Sequence, residues 1–142
     1  MTSDSEVTSA EGATVEAPTS RNGKICYLEI PAPEPRRSAE FFERVFAWNI
    51  RFRDSDRPRF DDTTGQVSGA FVTGRVPDPE PGILIYVMVA DLASSAEAIV
   101  AAGGSIVLAP GRYGGEALAT FLDPAGNLLG IYEEPGLDAT PR

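Results

Sequence analysis

Residue 29 is the residue in this chain best suited to acid–base chemistry. Residues 25–30 are predicted to form a strand, in which alternation puts Tyr27 and Glu29 on one face. A carboxylate that faces an apolar cavity has a raised pKa and can act as a general base. Glu29 is therefore the candidate catalytic residue. The alternatives are that it forms an ion pair with Arg51 or Arg53 on the next strand, or that it is exposed to solvent.

Catalysis by histidine is excluded, because the 142 residues include none. Ser-His-Asp and Cys-His arrangements therefore cannot form. Cys26 is the single cysteine, so no disulfide can form within the chain, which fits a cytoplasmic location. We expect Cys26 to point toward the first helix as an inert, buried thiol.

The formal net charge of −9 argues against nucleic acid or an anionic membrane surface as a partner. It permits a neutral or cationic small molecule. The longest apolar run, residues 83–90, is too short to cross a bilayer, and the first residues lack the pattern of a signal peptide. The expected partner is therefore a small-molecule ligand.

The chain repeats one arrangement of elements. Ser-Ala-Glu occurs at 38–40 and 95–97, and residues 62–69 match residues 123–130 without a gap. Each copy reads as a strand, a helix and three strands. The first helix begins at Pro35, and the second has Ser94 and Glu97 as a capping box and ends at Gly103. The predicted strands are 25–30, 48–53, 59–61, 67–73, 82–90, 105–108, 117–122 and 128–133.

These elements predict one domain at residues 24–135, with modules at 24–77 and 82–135. Residues 1–23 are rich in Ser, Thr, Glu and Ala without apolar periodicity, so we predict a disordered tail there. Residues 136–142 are predicted to form a second, short tail.

The segment 41–48, FFERVFAW, resembles the "FYxxVFGW" stretch of the vicinal oxygen chelate superfamily, and 123–127, DPAGN, resembles its "DPxGN" turn. This superfamily includes glyoxalase I, extradiol dioxygenases, fosfomycin-resistance enzymes and bleomycin-resistance proteins. The resemblance covers residues 24–134. It implies an α+β, glyoxalase-like fold in which two tandem βαβββ modules form a curved mixed sheet around a concave cavity. Homodimers are common in the superfamily, and the sequence leaves this option open.

The resemblance also implies where a metal would bind. The family's four ligand positions map to Tyr27, Gly69, Leu84 and Gly130, which include no imidazole and no carboxylate. We therefore expect no metal or other cofactor at these positions. The remaining metal-binding option uses shifted residues such as Glu29 and Glu133.

The same mapping predicts an aromatic wall for the cavity. Alternation puts Leu84, Tyr86 and Met88 on the inner face of the second module's first strand, and a mobile loop could bring in a further tyrosine as a lid. The alternatives are a closed core and an ordinary exposed hairpin. The predicted ligand-binding residues are Tyr27, Glu29, Phe71, Tyr86, Met88, Tyr113 and Tyr132.

Three functions follow as hypotheses. The first is metal-independent binding of a small, partly apolar or cationic molecule, similar to the bleomycin-resistance proteins. The second is an enzyme of the glyoxalase, lyase or dioxygenase group that uses Glu29 or a non-standard metal site. The third is a non-catalytic interaction module with a closed cavity. Metal-dependent glyoxalase or dioxygenase activity is disfavoured by the residues at the four mapped positions.

Overall fold

The computed structural model describes residues 6–8 and 14–137, which belong to two compact units, Met1–Arg75 (unit 1) and Val76–Arg142 (unit 2). Within the described ranges, each unit has one helix and one four-stranded mixed sheet. The predicted α+β architecture of two tandem βαβββ modules is confirmed. No helix within the described ranges is long and apolar enough to cross a membrane.

Unit 1 has its main sheet in the order β3-β6-β5-β4, in which β3 and β6 are parallel and the other pairs are antiparallel. The helix α1 connects β3 to β4. The bounds are β3 (Tyr27–Pro31), α1 (Pro35–Phe46), β4 (Asn49–Arg51), β5 (Arg59–Asp61) and β6 (Ser68–Val72).

Two short strands lie within the segment for which a disordered tail is predicted, and its residues 1–5 and 9–13 lie outside the described residues. Strands β1 (Glu6–Thr8) and β2 (Thr14–Glu16) form a separate antiparallel pair. Both are three-residue segments that contain Val and Thr, the β-branched types that favour extended backbone. Farther along, the Thr19 amide donates to the Gln66 side-chain oxygen at 2.9 Å.

Helix α1 confirms the prediction from Pro35 and the Phe spacing. Pro35 occupies the first turn, and Ala47 ends the helix in the left-handed conformation at φ 59°. Its apolar face is buried against the sheet. Phe42 stacks on Trp48 with ring centroids 4.7 Å apart, and Trp48 stacks on Phe60 at 4.6 Å. The motif at 41–48 therefore builds the core of unit 1.

Unit 2 repeats this topology, with its sheet in the order β7-β10-β9-β8 and β7 parallel to β10. Its apolar core includes Phe121, Ile99 and Ile131, all fully buried. The bounds are β7 (Tyr86–Val89), α2 (Leu92–Ala101), β8 (Ser105–Tyr113), β9 (Glu116–Leu122) and β10 (Leu128–Glu133).

The start of α2 corrects the predicted capping box. Asp91 is the N-cap, and its side chain accepts hydrogen bonds from the amides of Ala93 and Ser94. The Ser94 hydroxyl instead donates back to the Asp91 carbonyl at 3.4 Å. An aspartate that comes before Ser94 can satisfy the first-turn amides, so the helix begins earlier than the Ser-x-x-Glu pattern indicates. Gly103, at φ 105°, follows the helix as predicted.

The prediction of a buried Cys26 is wrong. Cys26 is exposed, because β3 begins at Tyr27 and the alternation does not extend back to the cysteine. The segment after Leu108 continues β8 to Tyr113 and turns directly into β9 through Gly114 and Gly115, at φ 62° and 88°. Two left-handed glycines match the twist of a two-residue hairpin, so the structure has at Tyr113 the hairpin that the sequence analysis gave as the alternative to a lid.

Candidate ligand-binding faces

The side of each sheet opposite its helix, called here the open face, holds most of the predicted site residues. The two repeated turns differ in length, and this difference determines which residues of the last strand in each unit lie on the open face. In unit 1 the Asp62 amide donates to the Val67 carbonyl at 2.8 Å, and in unit 2 the Asp123 amide donates to the Asn127 carbonyl at 2.9 Å. The unit 1 turn is therefore one residue longer.

The extra residue shifts the register of β6. Glu29 lies opposite Ala70, whereas its counterpart Tyr86 lies opposite Gly130. Ala70 is thus the structural equivalent of Gly130, and Val72 that of Tyr132. Because a shift of one residue moves a side chain to the other face of a sheet, the ungapped sequence match misplaced two residues of β6.

Those two residues, Gly69 and Phe71, lie on the helix side. A Cβ atom on Gly69 would overlap the Phe60 ring and the Leu28 carbonyl oxygen. Phe71 is fully buried, with its ring centroid 5.2 Å from that of Phe60. Phe71 is a core residue on the helix side of the sheet, so the prediction that it lines a ligand cavity is wrong.

Glu29 lies on the open face of unit 1, as alternation predicts, but in a polar setting. Its two carboxylate oxygens accept hydrogen bonds from Arg75 Nε at 2.8 Å and Arg57 Nη2 at 3.0 Å. The hydrogen bond from Arg75 and then that from Arg57 hold the pKa of Glu29 below its usual value. The expected raised pKa is therefore wrong, and both oxygens are engaged.

The two arginines predicted as alternative partners of Glu29 have other partners. Arg53 donates to Glu43 at 2.6 Å, and Arg51 donates to both oxygens of Asp61 at 3.0 and 3.1 Å. Ser68 also donates to Asp61, at 2.7 Å. Burial alone would raise the pKa of Asp61, but the hydrogen bonds from Arg51, Ser68 and Asn49 outweigh it and lower that pKa.

Arg59 is the functional candidate that the sequence reasoning missed. It lies between Ala70 and Arg51 in the sheet, in the same cross-strand row as Glu29. Its Nε atom is buried without a hydrogen-bond partner, and its guanidinium carbon lies 5.4 Å from the centroid of the Phe52 ring. Alternation within the predicted strand 59–61 puts Arg59 on the same face as Asp61, and this pattern could have identified Arg59 from the sequence.

The open face of unit 2 has a different character. Tyr86 and Met88 are 42% and 58% exposed. The Tyr86 ring covers Gly130, where a Cβ atom would overlap it. Tyr132 lies opposite Met88 in the β7–β10 pair. A hydrogen bond with the Glu116 carboxylate raises the pKa of the Tyr132 hydroxyl. Aromatic rings, a thioether and one carboxylate thus share this face.

The two remaining tyrosines occupy separate settings. Tyr27 is 46% exposed on β3. The pKa of Arg57 is raised first by its hydrogen bond with Glu29 and then by its hydrogen bond with Tyr27. The Tyr113 hydroxyl donates to the Ala109 carbonyl at 2.7 Å within the β8–β9 hairpin. The structure therefore groups Tyr27 with Glu29 and Tyr86 with Met88 and Tyr132, and engages the Tyr113 hydroxyl inside its own hairpin.

Unit 1 also contains surface clefts. One, with a volume of ≈ 350 Å³, is lined by Lys24, Cys26, Gln66 and neighbouring residues. The wall of this cleft includes no carboxylate and no aromatic side chain.

The metal that the resemblance implies does not fit the described side chains. With the register corrected, the mapped positions are Tyr27, Ala70, Leu84 and Gly130, of which only the phenol has a side-chain oxygen. Among the described residues no three His, Cys, Asp or Glu side chains cluster as ligands. Of the two shifted donors, Glu29 is held by two arginines and Glu133 accepts the Leu92 amide at 2.8 Å.

Comparison with known proteins points to one family. The family model described as "Glyoxalase-like domain" matches residues 27–132. No curated protein sequence matches the chain significantly. Among solved structures, the fosfomycin resistance protein FosX from Listeria monocytogenes has a TM-score of 0.67 at 14% identity, covering 82% of this chain and 94% of that one.

Two other solved structures share the fold. A glyoxalase/bleomycin resistance protein/dioxygenase family enzyme from Burkholderia phytofirmans has a TM-score of 0.65 at 18% identity, covering 78% of this chain and 98% of its own. TioX from Micromonospora has a TM-score of 0.56 at 20% identity, with coverages of 78% and 98%. At these identities the likeness concerns the fold alone.

Proposed function

Because the chain belongs to the glyoxalase-like domain family of the vicinal oxygen chelate superfamily, we propose that it binds a small, partly apolar molecule without a metal ion. The observation that carries this proposal is the open face of unit 2. Tyr86 and Met88 expose about half of their side chains on one sheet face, beside Tyr132. Exposed aromatic and thioether groups that share a face are typical of ligand-binding surfaces.

The chemistry of this face favours an aromatic or aliphatic ligand. Tyrosine rings offer large contact area at a small cost in side-chain entropy, and methionine adapts its shape to what it contacts. Gly130 lets the Tyr86 ring lie flat on β10, so the face presents the ring itself to a ligand. The exposure of Tyr86 and Met88 weighs against the alternative of a closed core.

A cationic group on the ligand is the second option for unit 2. Glu116 adds a negative charge beside the Tyr132 hydroxyl, and aromatic faces attract cations. The total charge of −9 also favours a positive ligand at long range. The enzyme alternative that relies on Glu29 as a base loses support, because hydrogen bonds from Arg75 and Arg57 lower its pKa and make the carboxylate a weaker base.

The structural neighbours suggest a role for such binding. FosX is described as a fosfomycin resistance protein, and the Burkholderia protein carries bleomycin resistance in its family name. By analogy, we propose that this chain sequesters its ligand. The homodimer and the cytoplasmic location stay predictions, for which sedimentation of the purified protein and fractionation of its host are the measurements.

Titration calorimetry with matched pairs of neutral and cationic aromatic compounds tests the proposal. We expect saturable binding that Tyr86→Ala weakens by about tenfold, equivalent to about 1.4 kcal/mol. Val100→Ala is the matched control, because Val100 is a 56% exposed apolar residue on α2 of the same unit. Absence of binding by every compound, or equal loss in both variants, would contradict the proposal.

A further inference from the structure

We propose that the open face of unit 1 binds the anionic group of a small molecule, a carboxylate, phosphonate or phosphate, through Arg59. This site lies in the other unit from the aromatic face and goes beyond the function proposed above. This site prefers an anion, whereas the overall charge of −9 favours a cationic ligand.

The first observation is a buried donor that lacks an acceptor. The Arg59 Nε atom is buried and makes no hydrogen bond. Buried polar groups are nearly always paired, because leaving one unpaired loses the hydration that it had in the unfolded chain. An oxygen acceptor supplied by a ligand would satisfy this donor.

The second observation is that neighbouring carboxylates are already engaged. Both oxygens of Glu29 accept from Arg57 and Arg75, and both oxygens of Asp61 accept from Arg51. Each carboxylate is thus held in its position by arginines other than Arg59. No ion pair to Arg59 forms among the residues that the structure describes.

The third observation is the local charge balance. Four guanidinium groups face two carboxylates in this cluster, which leaves two positive charges uncompensated. Charges beyond about 8–10 Å are largely screened at physiological salt, so a small ligand at this face experiences the cluster more than the whole chain. The members of the cluster are Arg51, Arg57, Arg59, Arg75, Glu29 and Asp61.

Phe52 covers the position that the anion would take. Its ring lies over the guanidinium groups of Arg59 and Arg51, at 5.4 and 5.9 Å, and its side chain is exposed. Phe52 also has a left-handed backbone conformation, at φ 54°, which is unfavourable for a bulky residue. A charge-assisted hydrogen bond is stronger than an exposed cation–π contact, so an anion can replace the ring.

The guanidinium group determines the ligand class. Its planar fork of N–H donors matches two oxygens of a carboxylate, phosphonate or phosphate, and it does not lose its charge at physiological pH. A neutral amide offers a single acceptor and no charge. Discrimination between benzoate and benzamide therefore reports on this site.

The experiment is an NMR titration of the arginine Nε–H signals of the full chain with benzoate, phenylphosphonate and benzamide. We expect benzoate and phenylphosphonate to shift the Arg59 signal saturably, and benzamide to leave it unchanged. Arg59→Gln should weaken the binding of both anions by at least about tenfold, a loss typical of removing one charged hydrogen-bonding partner. Arg44→Gln, on the exposed side of α1, makes the same charge change and should leave affinity unaltered.

Several results would overturn the inference. These are the absence of saturable binding of either anion, benzamide binding as tightly as benzoate, or Arg59→Gln binding like the wild type. Arg59→Lys keeps the charge and is the second variant if the glutamine protein fails to fold; it should weaken binding because lysine lacks the planar fork. Tyr86→Ala should leave the Arg59 shift intact, so failure of the aromatic-face proposal and failure of this one are distinguishable.

Discussion

Glu29 lies directly opposite Ala70 in the parallel pair of β3 and β6. This relationship puts Glu29 in one cross-strand row with Arg59 and Arg51. A carboxylate that the sequence predicted to face an apolar wall thus lies among guanidinium groups. Its role is to hold Arg57 and Arg75 in place on the open face, and this role has a consequence for stability at low pH.

The ion pairs of Glu29 should stabilise the fold only above acidic pH. Its pKa in the folded chain lies below the unfolded value of 4.5, so its stabilising contribution is present above pH 4.5 and is lost as the pH falls through the folded pKa. Urea denaturation of wild type and Glu29→Gln across this range measures the effect. We expect the difference in the free energy of unfolding to be constant near neutrality and to shrink as the solution becomes acidic.

Glu40→Gln is the control for this prediction, because Glu40 is exposed on α1 and loses the same charge. A pH-independent difference between wild type and Glu29→Gln would show that the two ion pairs do not hold in solution.

The sequence predicted some of these features because they depend on local patterns. Pro35 and the Phe face define α1, and alternation correctly puts Tyr27 and Tyr86 on open faces. The error at Phe71 came from one additional residue in the unit 1 turn, which local patterns do not reveal because both turns contain Asp and Gly at the same spacing. Strand register depends on pairing between distant segments.

The partners of Glu29 illustrate what alternation cannot supply. Arg57 and Arg75 are 28 and 46 residues away in sequence, and both lie outside strands. Alternation gives the face of a strand residue, but it does not show which irregular segments bring their side chains over that face. Likewise, the burial of Arg59 Nε without a hydrogen-bond partner depends on how distant segments pack.

Asp123 should show the opposite pH dependence from Glu29. Burial raises its pKa above 3.8, although the hydrogen bonds from Asn127, Ala125 and Gly126 oppose this shift. Its contribution to stability is therefore full below pH 3.8 and is lost as the pH rises through the folded pKa. Asp123→Asn should be less destabilising, relative to wild type, at neutral pH than in acid.

Denaturation of the wild type and Asp123→Asn from acidic to neutral pH tests this prediction. Asp54→Asn serves as the control, since the Asp54 side chain is 86% exposed. A difference between wild type and Asp123→Asn that grows with pH would contradict the direction of the shift.

The aromatic stack of unit 1 should dominate its stability. Phe42 is fully buried and stacks on Trp48 at 4.7 Å and on Phe71 at 5.7 Å. Phe42→Ala should reduce the free energy of unfolding by roughly 3–5 kcal/mol, through lost burial and the cavity that remains. Phe52→Ala is the matched control, because Phe52 is 61% exposed and should cost under about 1 kcal/mol. Equal losses in chemical denaturation would contradict this assignment of the core.

The two glycines of the last strands should differ in their tolerance of alanine. At Gly69 an added methyl group meets the Leu28 carbonyl oxygen as well as the buried Phe60 ring, so the backbone of β3 or β6 has to move. At Gly130 the nearest atoms belong to the side chain of Tyr86, which is 42% exposed and can rotate away. Gly69→Ala should cost at least about 1–3 kcal/mol, the usual effect of overpacking, and Gly130→Ala clearly less.

Urea denaturation of both variants measures this difference, and the double variant Gly130→Ala/Tyr86→Ala completes the test. Removing the Tyr86 ring should recover stability lost in Gly130→Ala, because the three atoms nearest to the added methyl group all belong to that ring. A larger loss for Gly130→Ala than for Gly69→Ala would mean that β6 and β10 have the opposite register from the one described, with Gly69 on the open face.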